Sequence, residues 1–114
     1  MTDQIEDRLQ YECYSWATKA HPELLGYLFH VPNGGFRNEK EASKLASIGV
    51  IPGIPDLLCV WKGRIIGIEM KTEKGTVKDS QKLIHAKWRA HGIEVVVCRS
   101  LEHFKDIIEY ILKG

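Results

Sequence analysis

The sequence lacks the compact signatures of several common enzyme classes. It contains no Cys-x-x-Cys pair, no His-Glu-x-x-His, no Gly-x-Ser-x-Gly elbow and no phosphate loop ending in Gly-Lys-Ser/Thr. Zinc hydrolases, serine hydrolases and P-loop NTPases are thereby removed. The three cysteines, Cys13, Cys59 and Cys98, are scattered among apolar neighbours and read as reduced core residues. No apolar stretch approaches the ~18 residues a membrane span needs. The start, Met1-Thr2-Asp3-Gln4, has neither the basic residues nor the apolar core of a signal peptide. A cytoplasmic, non-secreted chain is expected. An excess of one charge is also missing: 16 Lys and Arg face 15 Asp and Glu, so global attraction to nucleic acid or an anionic membrane is weak.

What is present fits one globular domain over residues 1–114, with 44% apolar and 27% charged residues. The charge is distributed unevenly. Residues 1–13 carry Asp3, Glu6, Asp7 and Glu12 against Arg8, whereas residues 62–89 carry eight Lys and Arg against Glu69, Glu73 and Asp79. A basic stretch of this kind suits phosphate contacts as well as it suits a solvated helix surface.

Apolar spacing predicts a helix from Asp3 to Ala20 with Ile5, Leu9, Trp16 and Ala20 on its core side and Cys13 beside them. Glu12 falls between Leu9 and Trp16 and is expected to point with that stripe, where a carboxylate is costly without a partner. Leu24 to Val31 contains a strand, broken by Pro32-Asn33-Gly34-Gly35. Asn38 caps a short helix through Ile48. Leu57–Trp61 and Arg64–Lys71 read as strands joined by a Lys62-Gly63 hairpin turn. A helix from about Val77 to His91, closed by Gly92, a strand over Ile93–Arg99 and a last helix capped by Ser100 complete the chain. The order αβαββαβα predicts a three-layer α/β domain with helices flanking a mixed central sheet.

The hairpin concentrates the chemistry. Alternation along Ile65–Lys71 puts Glu69 and Lys71 on one strand face, roughly 7 Å apart at Cα. Asp56, directly after Pro55, opens the paired strand, so two carboxylates and an ammonium converge at one end of a two-stranded unit. That end is expected at the sheet's edge rather than in the core. Glu12 would supply a third carboxylate. Carboxylates without His or Cys are the hard-oxygen signature of Mg²⁺ or Mn²⁺, and the Met70 carbonyl is a natural further ligand. With a lysine beside it, such an ion can orient water and neutralise charge on a phosphodiester. An acidic-x-Lys triplet alone is weak, since composition supplies about one by chance. Its bland alternative is an exposed ion pair worth little.

The combination is more specific. Pro55-Asp56 followed by Glu69-x-Lys71 resembles the PD-(D/E)xK nuclease superfamily. More closely, Pro32-Asn33-Gly34-Gly35, the run from Gly49 to Asp56, the run from Ile68 to Gly75 and Gln81-Lys82 resemble the virus-type replication–repair nuclease (VRR-NUC) domain. The resemblance implies a restriction-endonuclease-like core and a metal-dependent phosphodiesterase acting on DNA. It places the active site on Glu12, Asp56, Glu69 and Lys71, with Gln81 beside them. Short stand-alone members resemble phage and bacterial enzymes that form homodimers and cut branched DNA such as Holliday junctions. Tyr11 and Tyr14, on the other side of the first helix from Ile5 and Leu9, are apolar surplus for such an interface. Asn33, Arg37, Lys74, Lys78 and Lys82 are candidate DNA contacts, while Trp16, Trp61 and Trp88 read as packing residues. His85 and His91 show no partner and receive no role. The rival class is a DNA-binding module with the same fold and little turnover, which the presence of all four expected residues opposes. A sequence-specific restriction enzyme is disfavoured by the small room left for a recognition element.

Overall fold

The two residues Lys62 and Gly63 set the centre of the fold. Both take left-handed backbone, with φ 49° and 80°, the combination that matches the twist of a two-residue hairpin. They join β2 (Leu57–Trp61) to β3 (Arg64–Met70), with Leu57 opposite Ile68 and Trp61 opposite Arg64. The structure is a computed structural model and describes residues 2–32 and 38–114. Asn33 and Arg37 lie outside the described residues.

Three further elements extend the hairpin into a sheet. β1 (Leu28–His30) adds antiparallel to β2, and β4 (Glu94–Cys98) adds parallel to β3, giving the order β1-β2-β3-β4. The parallel pair requires a crossover, supplied by α3 (Asp79–Ala90). α1 (Thr2–Ala20), α2 (Glu39–Ser47) and α4 (Leu101–Lys113) complete the expected order, with a 3-10 turn at Pro22–Leu24 between α1 and β1. Ser100 caps α4 by accepting from the His103 N–H at 3.1 Å, and Asn38 caps α2 by accepting from Glu41 at 2.8 Å. No helix among the described residues is long and apolar enough to cross a membrane.

β3 is buried from Ile66 through Met70 because helices cover both its faces. Ile66, Ile68 and Met70 join Cys13 and Ala17 of α1 and Phe104, Ile107, Ile108 and Ile111 of α4 in one core. On the opposite face Gly67 meets Pro55 and Trp88 of α3. The three layers are therefore α1 with α4, the sheet, and α3. All three cysteines are free and buried. Trp16 packs edge-on against Phe104 and Trp61 against Tyr27, as packing residues should.

Two expectations change. The chemical end of the hairpin is not at the sheet's edge: β3 is an interior strand, flanked by β2 and β4. The stripe on α1 is also rotated. Its buried residues are the small Cys13 and Ala17, while Ile5 is 59% exposed, because small side chains let the helix axis approach the sheet closely. Glu12 is consequently exposed rather than sunk in an apolar face.

Gly53 fixes the spacing between β2 and α3. Its φ is +92°, and a Cβ there would collide with the Ser80 carbonyl. Gly53→Ala should therefore lower stability by at least ~2 kcal/mol in urea denaturation. A wild-type midpoint would show that the backbone of α3 does not approach so closely.

Candidate active site

Glu69 and Lys71 leave β3 on the face covered by α3, and both are buried, 1% and 3% exposed. The exposed ion pair of the bland alternative is thereby excluded. Asp56, immediately before β2, accepts the Met70 N–H through Oδ2 at 2.8 Å. Across the strand the Lys71 N–H donates to the Cys98 carbonyl at 2.9 Å. A residue's N–H and C=O point to the same side of a strand. The Met70 carbonyl thus faces the Asp56 side and not β4.

The Asp56 and Glu69 carboxyls lie within hydrogen-bonding reach of each other. Burial, first, and then the contact with and charge of Asp56 push the Glu69 carboxyl up to about 9, against a smaller opposing pull from Lys71. Two carboxyls so placed share a proton or a cation. The Lys71 ammonium has no carboxylate within ion-pair distance among the described residues.

α3 supplies the polar support. Gln81 donates through Nε2 to Glu69 Oε2 at 3.2 Å, and its Oε1 accepts the Lys78 N–H at 2.8 Å. One amide therefore closes the start of the helix and orients the carboxylate. One turn further on, His85 Nε2 lies 3.3 Å from Glu69 Oε1. Burial, then Arg89 and Lys71, hold the imidazole below its ordinary pKa, which favours the neutral ring. The sequence reading gave His85 no role; its spacing of four from Gln81, which puts both on one helix face, was the available signal. Arg99 was missed as well. Its Nη1 donates to the carbonyls of Thr72 at 2.8 Å, Glu73 at 3.4 Å and Gly75 at 2.6 Å, fastening the loop that follows Lys71.

The profile of the VRR-NUC domain matches residues 6–102. The chain belongs to the VRR-NUC family. A solved structure described as a VRR_NUC domain protein superposes with a TM-score of 0.78 at 23% identity, over 95% of this chain and 88% of that one, a likeness of fold. Among curated proteins no sequence matches. VRR-NUC domains are nuclease domains that generally use divalent metals.

The donors of this VRR-NUC domain suit such an ion. They are oxygens only: Asp56, Glu69 and a carbonyl facing Asp56's side. Among the described residues no three His, Cys, Asp or Glu side chains form a metal cluster. That count fits Mg²⁺ chemistry, in which one or two carboxylates suffice and water and phosphate fill the remaining positions.

The helix glutamate is where the structure departs most from expectation. Glu12 has its side chain 49% exposed and pairs with Arg8 at 3.6 Å, so it is not a buried third carboxylate. Glu6, about 120° away around the helix, is half-buried. Its charge reaches Glu69, raising that carboxyl further. Its Oε2 also lies 3.4 Å from where a Cβ on Gly75 would stand. Lys74, Lys78 and Lys82 are exposed, on the loop and the first turns of α3.

Proposed function

We propose that this VRR-NUC domain is a Mg²⁺- or Mn²⁺-dependent deoxyribonuclease, an endonuclease that hydrolyses phosphodiester bonds and prefers branched DNA such as Holliday junctions. The observation that carries this reading is the pairing of the buried Glu69 carboxyl with the half-buried Asp56 carboxyl, with the buried Lys71 on the same strand face as Glu69. Asp56, Glu69 and the Met70 carbonyl would hold the ion, with Gln81 and His85 fixing the rotamer of Glu69. A bound Mg²⁺ or Mn²⁺ supplies Lewis-acid polarisation of the phosphoryl group and acidifies water. The Lys71 ammonium would stabilise negative charge building on the phosphoryl oxygens and orient the attacking water. Water adds to phosphorus as the bond to a sugar oxygen breaks, leaving a phosphomonoester and a hydroxyl. Lys74, Lys78 and Lys82 supply exposed positive charge for the DNA backbone, a salt-dependent and sequence-independent attraction.

We further propose a homodimer, because resolving a four-way junction takes two cuts in strands related by two-fold symmetry, and a two-fold pair of these domains provides two centres. Sedimentation at micromolar concentration tests this directly. The activity is tested by cleavage of matched junction, flap and linear duplex DNAs in Mg²⁺, Mn²⁺ and EDTA. Junction cutting that stops in EDTA is the expected result, and undiminished cutting in EDTA would overturn the reading.

The first-helix role passes from Glu12 to Glu6. Glu6→Gln should lower cleavage at least tenfold, in the range of residues that tune a metal site from its surroundings. Glu12→Gln should leave it unchanged, because its carboxylate pairs with Arg8 on the exposed side of α1. Equal losses from the two variants would reject this assignment.

A further inference from the structure

A groove of about 490 Å³ runs between α1 and the β1 side of the sheet. Asp7, Gln10, Tyr11 and Tyr14 of α1 form one wall, and Phe29, His30 and Leu57 form the other. The four α1 residues recur at helical spacing and share one face. Tyr11 is 72% exposed and Phe29 39%, although aromatic surface left in water is costly. The groove reaches the main chain of Asp56 through its sheet wall and the turn of Glu6 through α1. Leu57 follows Asp56, and His30 donates through Nδ1–H to the Asp56 carbonyl at 2.8 Å, with the Gln10 amide 3.0 Å from the same nitrogen. On α1, Asp7 follows Glu6.

We infer that this groove receives one unstacked nucleobase next to the phosphodiester being cut, laid against the ring of Tyr11. The inference rests on the nuclease reading. Its size lies within the range of small-molecule sites, about 300–1,000 Å³. Every base offers a π-face, so aromatic stacking tolerates any sequence. Charge decides which part of the nucleotide enters. The Asp7 carboxylate repels phosphate but accepts hydrogen bonds from exocyclic base amines, as does the Gln10 amide oxygen. A second copy of the chain is a poorer occupant, since a two-fold contact here would bring the acidic α1, with Glu6, Asp7 and Glu12, against its own image. Branched DNA presents unstacked bases more readily than linear duplex, so the groove would also bias cutting toward branch points.

The test uses flap DNA with 2-aminopurine at the unpaired position next to the branch, bound to the full chain in Ca²⁺. The same DNA, and a version abasic at that position, are then cleaved in Mn²⁺. Wild-type protein should quench the 2-aminopurine emission and cut abasic DNA about tenfold or more slowly than intact DNA. Tyr11→Ala should lose both the quenching and the preference for intact DNA, and Tyr11→Phe, which keeps the ring, should restore them. Cleavage with no quenching and no abasic effect overturns the groove assignment and leaves the nuclease intact. Quenching without cleavage overturns the nuclease and leaves the base site. Conversion of a dimer to a monomer by Tyr11→Ala, with the abasic effect unchanged, makes the occupant a second copy and rejects the base. Circular dichroism checks that each variant is folded.

Discussion

Asp56→Asn, Glu69→Gln and Lys71→Met should each reduce DNA cleavage by about two to three orders of magnitude while leaving the helical and sheet content intact. In the proposed mechanism the three groups act on the same reacting phosphate, so losses from double variants should fall well short of the product of the single ones. Lys71 is the most informative of the three. A buried ammonium with no carboxylate at ion-pair distance among the described residues contributes little to the fold. Replacing it by the equally long, apolar methionine removes a desolvated charge and keeps the packed stem. The variant should therefore be at least as stable as wild type and inactive. Glu69→Gln keeps a neutral group of the same shape in a position where the native carboxyl is already protonated at pH 7. A Lys71→Met protein that cuts at the wild-type rate would reduce this lysine to a packing residue.

Between pH 7 and 9 the metal-free protein should lose stability steadily, and Mn²⁺ should restore it. The Glu69 carboxyl is pushed up to about 9 from 4.5, first by burial and then by Asp56. In this window the native state keeps a proton that the unfolded chain has released. The unfolded state thus binds fewer protons, and the free energy of unfolding falls as pH rises. The stabilisation is complete below about 4.5 and is lost through the folded value. The size over two pH units is on the order of 2 kcal/mol, or roughly ten degrees in Tm for a domain of this length. His85 opposes this only at lower pH. Its folded pKa is lowered from 6.5, so its contribution rises as pH approaches 6.5 and is constant above it. A divalent ion replaces the shared proton, so the gain in Tm from Mn²⁺ should grow with pH. Melting curves in EDTA and in Mn²⁺, compared with those of Glu69→Gln, isolate the carboxyl. A wild-type slope in that variant would assign the effect elsewhere.

The sequence made the hairpin legible because its signals are local. Lys62-Gly63 between two apolar runs fixes register as well as existence, and register fixes which side chains share a face with Glu69. The caps at Asn38 and Ser100 were readable for the same reason. Legibility failed where tertiary packing decides. On α1 the large residues Ile5 and Trp16 outweighed Cys13 and Ala17 in the apolar pattern, yet the small pair sets the helix's closest approach. The resulting rotation exchanges Glu12 for Glu6. The path Glu6, Leu9, Cys13, Ala17 keeps helical spacing throughout, so the correct stripe was present in the sequence and was outweighed by side-chain size. His85 and Arg99 were hidden differently. Their partners, a carboxylate on another element and three loop carbonyls, are distant in sequence and carry no periodic mark. The interior position of β3 was likewise invisible, since β4 pairs with it only after a crossover.

α2 stands apart from this economy of buried contacts. Not one of its residues is buried, although it sits in the chain between the two strands that bring His30 and Asp56 together. Its helix is held by its own cap and by local bonds, so it should exchange its amide hydrogens earlier than α1 or α4. Such a segment can be lengthened, shortened or recoloured in charge without disturbing the sheet. Changes can therefore accumulate there while the carboxyl pair stays fixed, making it a natural graft point on this domain.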